Sequence, residues 1–246
     1  MRKFFCLWLL VLLFFIGIFT AQAQDAASLM QQADAAWLKR SASDQNAYQA
    51  IQLYQQAGQA APNNDVPHYQ IARAYYFLGR FAPAAQREQL YLKGVDAAKN
   101  ALAVNANSVG GHYWYSACLA RSLEKKSLFE KRKYVKDIKQ HMAAALRLDP
   151  SFYFGGPPRA LGMLSFKSPF GSNDDAIKML RKSLEYAPDY SLTLVNLGEV
   201  LIKEKQYEEA KKHLQKVLTL QPMPGFEREL AGDKKLAKKL LASIPE

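Results

Sequence analysis

The sequence predicts an all-α protein, a right-handed α-solenoid of about five helical hairpins closed by a C-terminal capping helix. Three observations predict it. Helix-like segments end five times in the same way, with a small or apolar residue five positions before a proline or an alanine in its place: Ala57 with Pro62, Ala101 with Ala106, Ala145 with Pro150, Ser183 with Pro188, Val217 with Pro222. Three positions upstream of each small residue stand Tyr54, Ala98, Met142, Leu180 and Leu214, and four further back Ala50, Gly94, Ile138, Ala176 and Ala210. In the most regular unit this face has a partner just before it, Leu194, Leu197 and Leu201 at helical spacing, with Gly198 where two helices can cross closely. A single hairpin cannot bury its own apolar face, so units of this kind must stack.

The first element is set apart from the fold. Arg2 and Lys3 precede an uncharged, almost wholly apolar run from Phe4 to Phe19, and Ala21-Gln22-Ala23 supplies small residues for cleavage. Residues 1–23 therefore read as a signal peptide cut after Ala23, because sixteen apolar residues fall short of the roughly 20 needed to span a bilayer. Retention of the segment as an anchor is the alternative. Cys6 sits at the head of the run rather than after the small residues, which argues against a lipoprotein. The expected location is exported and periplasmic. Residues 24–246 then form one domain, in which Cys118 is the only cysteine, so no internal disulfide can form.

The repeated ending, together with the Leu194, Leu197, Gly198, Leu201 register, resembles the tetratricopeptide repeat (TPR). Units end near 62, 106, 150, 188 and 222, so successive spacings are 44, 44, 38 and 34 residues and only the last is the standard period. The second and third units carry ten extra residues each. Their second helices are expected over about Pro83–Val104 and Leu128–Leu148, the latter carrying most of the basic cluster. The fourth unit opens with Gly155-Gly156-Pro157-Pro158-Arg159, in which the glycines permit a positive-φ turn and the prolines suit a helix start. A loop from Ser168 to Ser172 leads into its second helix. Leu230, Leu236, Leu240 and Leu241 alternate with lysines over 226–242, the capping helix.

No motif for catalysis is present: no G-x-S-x-G, H-E-x-x-H or phosphate-binding glycine loop occurs. A non-enzymatic protein with no cofactor and no metal is the expectation. His68 and His112 occupy the same repeat slot 44 residues apart, which implies packing duty, and His141 and His213 have no histidine or carboxylate at i+4. Cys118, within Ala117-Cys118-Leu119, reads as a small core residue. The chain has 33 basic and 22 acidic residues, and removing Arg2 and Lys3 leaves a net charge of +9. Export excludes nucleic acid as the partner. The charge gathers at Arg121–Lys139 and at Lys234, Lys235, Lys238 and Lys239, either as solvated helix faces or as attraction to an anionic membrane surface or acidic protein.

In TPR stacks the first helix of each hairpin lines the concave side. The resemblance therefore places Tyr69, Arg73, Tyr76, Tyr113, Arg121, Arg159, Glu199 and Lys203 in the groove as ligand-binding candidates. Aromatics interleaved with arginines suit carboxylates and acidic peptides. Packing between repeats is the competing role for Tyr69 and Tyr113. Arg159, a cation near a helix start, opposes the dipole and wants a partner such as an internal carboxylate.

Tyr91-Leu92-Lys93-Gly94-Val95, Gly111-His112-Tyr113-Trp114-Tyr115 and Gly155-Gly156-Pro157-Pro158-Arg159-Ala160-Leu161-Gly162, in that order, also resemble the T-component family of tripartite ATP-independent periplasmic (TRAP) transporters. That resemblance implies an exported scaffold that binds a protein or peptide, with a periplasmic solute-binding protein as the partner. An accessory protein held at the membrane or cell wall by its basic helices is the alternative. The pattern is compatible with a homo-oligomer.

Overall fold

A computed structural model of the chain describes residues 25–245, and the leader over 1–23 lies outside the described residues. Among the described residues eleven helices follow one another: α1 (25–38), α2 (Asp44–Ala60), α3 (Val66–Phe81), α4 (Arg87–Val104), α5 (Val109–Ser122), α6 (Leu128–Leu148), α7 (Phe152–Lys167), α8 (Asn173–Tyr186), α9 (Ser191–Lys203), α10 (Tyr207–Thr219) and α11 (Glu227–Leu241). Consecutive helices pack as hairpins and the hairpins stack, so the all-α TPR-like fold is observed. None of the described helices is long and apolar enough to cross a membrane.

The repeated residues form the seam. Ala57, Ala101, Ala145, Ser183 and Val217 are all 0% exposed, and Tyr54, Ala98, Met142, Leu180 and Leu214 are buried beside them. Four of the five helices then stop in the same place. The backbone N–H of the residue before the terminator (Ala61, Asn105, Asp149, Ala187) donates to the carbonyl of the small residue four back, and the next position leaves the helix. Serines start four helices, with the side chains of Ser43, Ser108, Ser127 and Ser172 accepting first-turn N–H groups of α2, α5, α6 and α8. At Ser127 the Glu130 carboxylate answers in a complete capping box.

Among the close crossings that need glycine are those of α4 with α5 and of α9 with α10. A Cβ on Gly94 would lie 2.5 Å from Cys118 Sγ, and one on Gly198 2.7 Å from Leu214. Cys118 is accordingly buried, its S–H reaches the Ala72 carbonyl at 3.7 Å, and burial pushes its thiol pKa up, which keeps it inert.

Two expected boundaries change. α4 begins at Arg87 rather than Pro83, because Ala82 is extended, Pro83 to Gln86 close a separate turn, and the Arg87 guanidinium donates to the Ala82 carbonyl at 2.9 Å. In α7 the left-handed turn is wider than a glycine pair: Tyr153 (φ 47°), Phe154 (φ 60°) and Gly155 (φ 64°) all adopt it before Pro157 and Pro158 resume the helix. α6 spans the expected Leu128–Leu148, and its buried residues, Ile138, Met142 and Ala145, lie in its second half.

The last helix does more than cap. One face of α11 joins α9 and α10 through Ala237, Leu240 and Leu241. Its start and the segment before it reach the first hairpin, where Ser41 Oγ donates to the Gly225 carbonyl at 2.7 Å and Arg228 pairs with Asp44. The two ends of the solenoid therefore meet.

Candidate functional site: an arginine–aromatic inner face

The first helices bring aromatic rings and guanidinium groups to one interior surface. Its middle is a run of rings in edge and tilted contact: Tyr69 with Phe152, Phe152 with Tyr113, Tyr113 with Trp114, Trp114 with Tyr76 and Tyr153, centroids 4.7 to 6.1 Å apart. Phe154 stacks on Tyr190 at 4.7 Å and 10°. The left-handed turn at Tyr153–Gly155 is what swings Tyr153 and Phe154 into this surface. Placing two non-glycine residues there costs about 1–2 kcal/mol each, which the ring contacts must offset.

Five arginines are set among these rings. Arg159 is 4% exposed. It donates to the Phe154 carbonyl (3.0 Å), the Tyr113 hydroxyl (3.0 Å) and Thr193 Oγ1 (3.4 Å), and lies 4.7 Å from the Tyr190 ring. Its partners are thus neutral oxygens and a ring, not the expected internal carboxylate. A buried guanidinium can be held this way because it stays charged and its planar fork serves several acceptors at once. Arg73 reaches the Tyr54 hydroxyl at 3.3 Å and sits 4.4 Å from the Trp37 ring, and burial pushes its pKa down. Arg40, 0% exposed, lies between Trp37 (4.2 Å) and Phe226 (4.3 Å) and donates twice to Glu229 Oε1. Arg80 pairs with Asp233 at 2.6 Å, and Ser191 donates to the same carboxylate. Arg121 is more open, with Glu124 at 3.9 Å. Beside Arg159, burial pushes the Tyr113 hydroxyl up to about 12, so it remains a neutral acceptor.

Of the eight candidates, Tyr69, Arg73, Tyr76, Tyr113 and Arg159 are assembled into this surface and Arg121 stands at its edge. Glu199 is partly buried and Lys203 exposed on α9, and among the described residues no side-chain hydrogen bond or ion pair joins either to the ring network. Arg73 Nε, Trp114 Nε1 and Glu229 Oε2 are buried with no hydrogen-bond partner among the described residues. All three lie on the inner face, donors and acceptor alike.

Two models of known families match the chain. The model described as regulator of microtubule dynamics protein 1-3 matches residues 29–154, just over half of the chain. The chain belongs to that family. In this member the matched part runs from α1 into the left-handed turn of α7, the part that carries Trp37, Arg40, Arg73, Arg80, Tyr113 and Arg121. A tetratricopeptide repeat model matches residues 170–224, α8 through α10, which include the regular last unit. Neither model is that of the TRAP T-component family. No curated protein matches the chain. Among solved structures it is similar to TTC0263, a thermophilic TPR protein of Thermus thermophilus (17% identity, 87% of this chain and 99% of that one, TM-score 0.65). It is also similar to PilF of Pseudomonas aeruginosa (16%, 89% and 90%, TM-score 0.56) and to MamA of Desulfovibrio magneticus RS-1 (18%, 80% and 93%, TM-score 0.51). These likenesses show the TPR fold.

Sequence reasoning missed more than half of this family member's inner face. Trp37, Arg40, Arg80, Tyr153, Phe154, Tyr190, Phe226, Glu229 and Asp233 all belong to it. A signal was there: Trp37-Leu38-Lys39-Arg40, Phe77-Leu78-Gly79-Arg80 and Cys118-Leu119-Ala120-Arg121 repeat Leu-x-Arg at intervals of 40 and 41 residues, each at the end of a first helix where a cation favours the dipole. The carboxylates of α11 carried no such signal, since nothing local says that a last helix folds back.

The histidines also differ from expectation. Each of the two on second helices has a carboxylate at i−4, Asp137 for His141 and Glu209 for His213. His112 and His141 meet, Nδ1 to Nδ1 at 2.8 Å, while His112 Nε2 faces the Ala106 carbonyl at 3.0 Å. His112 Nε2–H then donates to Ala106, and His141 Nδ1–H donates to His112 Nδ1. Among the described residues no group of three metal-ligating side chains forms. Burial lowers the pKa of all four histidines, and Arg147 lowers His112 further while Asp137 opposes the effect at His141. The folded state therefore binds protons less readily than the unfolded chain, so stability is full above about pH 6.5 and falls as pH drops toward the lowered folded values. The melting temperature should fall between pH 7.5 and 5.5, and His141→Gln should shrink that fall. An unchanged pH profile in the variant would assign the loss to other groups.

Proposed function

We propose that this chain is a non-enzymatic, exported TPR scaffold of the bacterial cell envelope that binds a protein or peptide through its inner face, with a periplasmic solute-binding protein as the partner. One observation carries the binding reading: guanidinium groups fixed against aromatic rings on the inner face, with the donors Arg73 Nε and Trp114 Nε1 unpaired among the described residues, are suited to carboxylates. The signal-like first residues support the location, and the order of three motifs resembling the T-component family supports the choice of partner.

A photo-cross-linking residue placed at Arg121 or Lys203 in the producing cell tests the reading. One discrete protein adduct, lost when Arg73 and Tyr76 are changed to alanine in a chain that still folds, is expected; a smear or no adduct at either position sinks it. Cell fractionation tests the location, with a mature chain starting at Gln24 in the released fraction as the expected result. A chain retaining Met1 in the cytosol would overturn export. In that case the family's name, which concerns microtubule dynamics, makes a microtubule the protein partner to test.

A second reading rests on α6. Leu128 and Phe129 are 73% and 74% exposed, and Tyr134 and Val135 are exposed beside Lys131, Arg132, Lys133 and Lys136. Apolar and basic side chains together on one helix suit the surface of an anionic membrane. Changing Lys131, Arg132 and Lys133 to glutamate should abolish sedimentation with vesicles containing anionic lipid, and Phe129→Ala should weaken it. Equal sedimentation of all variants would remove this reading.

A further inference from the structure

The interior already holds a helix, and that helix is acidic where the arginines are. Arg40, Arg80 and Arg121, at the ends of successive first helices, form a ladder along the inner face. α11 lays Glu229 on Arg40 and Asp233 on Arg80, one helical turn apart on α11, and the Phe226 ring just before it lies 4.3 Å from the Arg40 guanidinium. Asp233 also takes the Ser191 hydroxyl, which ties the fifth hairpin into the same contact. The third step is different. Beyond Asp233 the helix offers Lys234, Lys235, Lys238 and Lys239, and the Arg121 side chain is left 41% exposed with only its neighbour Glu124 as a carboxylate, at 3.9 Å. α11 thus answers two of the three steps.

The segment joining α11 to α10 is exposed over 221–224 and anchored at Gly225. Residues 220–226 lie outside both helices, and Gly225 adopts φ +78° against Leu38 and Arg40. Glu229 Oε2 is buried without a hydrogen-bond partner among the described residues, so the internal fit leaves a carboxylate oxygen unanswered.

We propose that the C-terminal helix is an internal stand-in for the true occupant of the inner face. That occupant is an amphipathic acidic helix of a partner protein, with an aromatic residue, a glutamate three positions on and an aspartate four beyond that, which must displace α11 to bind. The inference rests on the protein-binding function proposed above and names the partner's chemistry. It also makes binding self-limited, because the internal helix is always present at high effective concentration.

The test keeps every residue of the chain. A protease site placed in the exposed 221–224 segment of the full chain is cut after folding, leaving α11 held non-covalently. A fluorescein-labelled peptide of residues 223–245 is then added and followed by anisotropy. It should exchange into the cut protein, and the same peptide with Glu229→Gln and Asp233→Asn should bind roughly tenfold or more weakly, while one with Lys238→Gln and Lys239→Gln binds as before. The uncut protein should take up the peptide far more slowly. Equal binding by the neutral peptide would overturn the ladder inference and leave protein binding itself standing. Loss of helical circular dichroism beyond that of α11 itself, when α11 is washed away, would overturn it as well, since α11 would then be part of the fold and not an occupant. Failure of the cross-linking experiment, by contrast, would remove the binding function and with it the partner helix, while charge-dependent exchange of α11 on the arginine ladder would still stand as measured.

Discussion

Changing Arg40 to alanine is expected to lower stability by about 3–5 kcal/mol, the cost of leaving one member of a buried ion pair without the other. The guanidinium is wholly buried, donates twice to Glu229 and once to the Trp37 carbonyl, and fills the space between the Trp37 and Phe226 rings. Removing it opens a gap between two aromatic side chains and strands the Glu229 carboxylate. The double change of Arg40 and Glu229 to methionine should recover most of the loss, since neither charge then needs a partner. Arg181→Ala is the contrast: its pair with Glu209 is half-exposed and is worth less than about 1 kcal/mol. Denaturant midpoints read all three. Equal small losses for Arg40 and Arg181 would show that the interior is open to water.

Gly155→Ala is expected to cost about 3 kcal/mol, from two causes acting at one atom. The backbone there has φ +64°, and a Cβ would stand 2.6 Å from the Ser183 carbonyl oxygen and 2.9 Å from its hydroxyl. Ser183 is one of the five seam residues, so the α7–α8 crossing would have to widen. The Phe154 carbonyl would move with it and release Arg159. Gly232→Ala offers the control, because the nearest atom to its Cβ would be 3.8 Å away and alanine gains up to about 1 kcal/mol in an exposed helix. Opposite signs for the two glycines, at unchanged denaturant dependence, are the expected outcome. Matching signs would place the Tyr153–Gly155 turn outside the cooperative fold.

The seam was legible because it is written locally. Ala57, Ala101, Ala145, Ser183 and Val217 recur at one offset from a helix stop, and burial of a helix face needs only the 3.6 period to be seen. The start of α4 was not legible, since it depends on Arg87 reaching back to Ala82. The left-handed Tyr153 and Phe154 were hidden for a related reason: intrinsic preference opposes that conformation, and only ring contacts with Trp114 and Tyr190 from other helices sustain it. In the candidate site, the repeat resemblance pointed to Tyr69, Arg73, Tyr76, Tyr113 and Arg159 as groove candidates. It could not say that they pack into one another, nor that Glu229 and Asp233 would arrive from 189 and 153 residues away in sequence to meet Arg40 and Arg80.

The meeting of Gly225 and Arg228 with Ser41 and Asp44 changes the cooperativity of the molecule. An open solenoid melts from its ends, because a terminal hairpin touches one neighbour and can fray without disturbing the rest. Here the terminal hairpin and the terminal helix are each other's second neighbours, so the described solenoid has no free end unit from which unravelling can begin. While α11 is seated the five hairpins should therefore unfold in one step, and its release should turn the closed circuit back into an open solenoid that frays from its ends. The molecule's refolding should be slower than its helical content suggests, since the contact that completes it spans almost the whole chain.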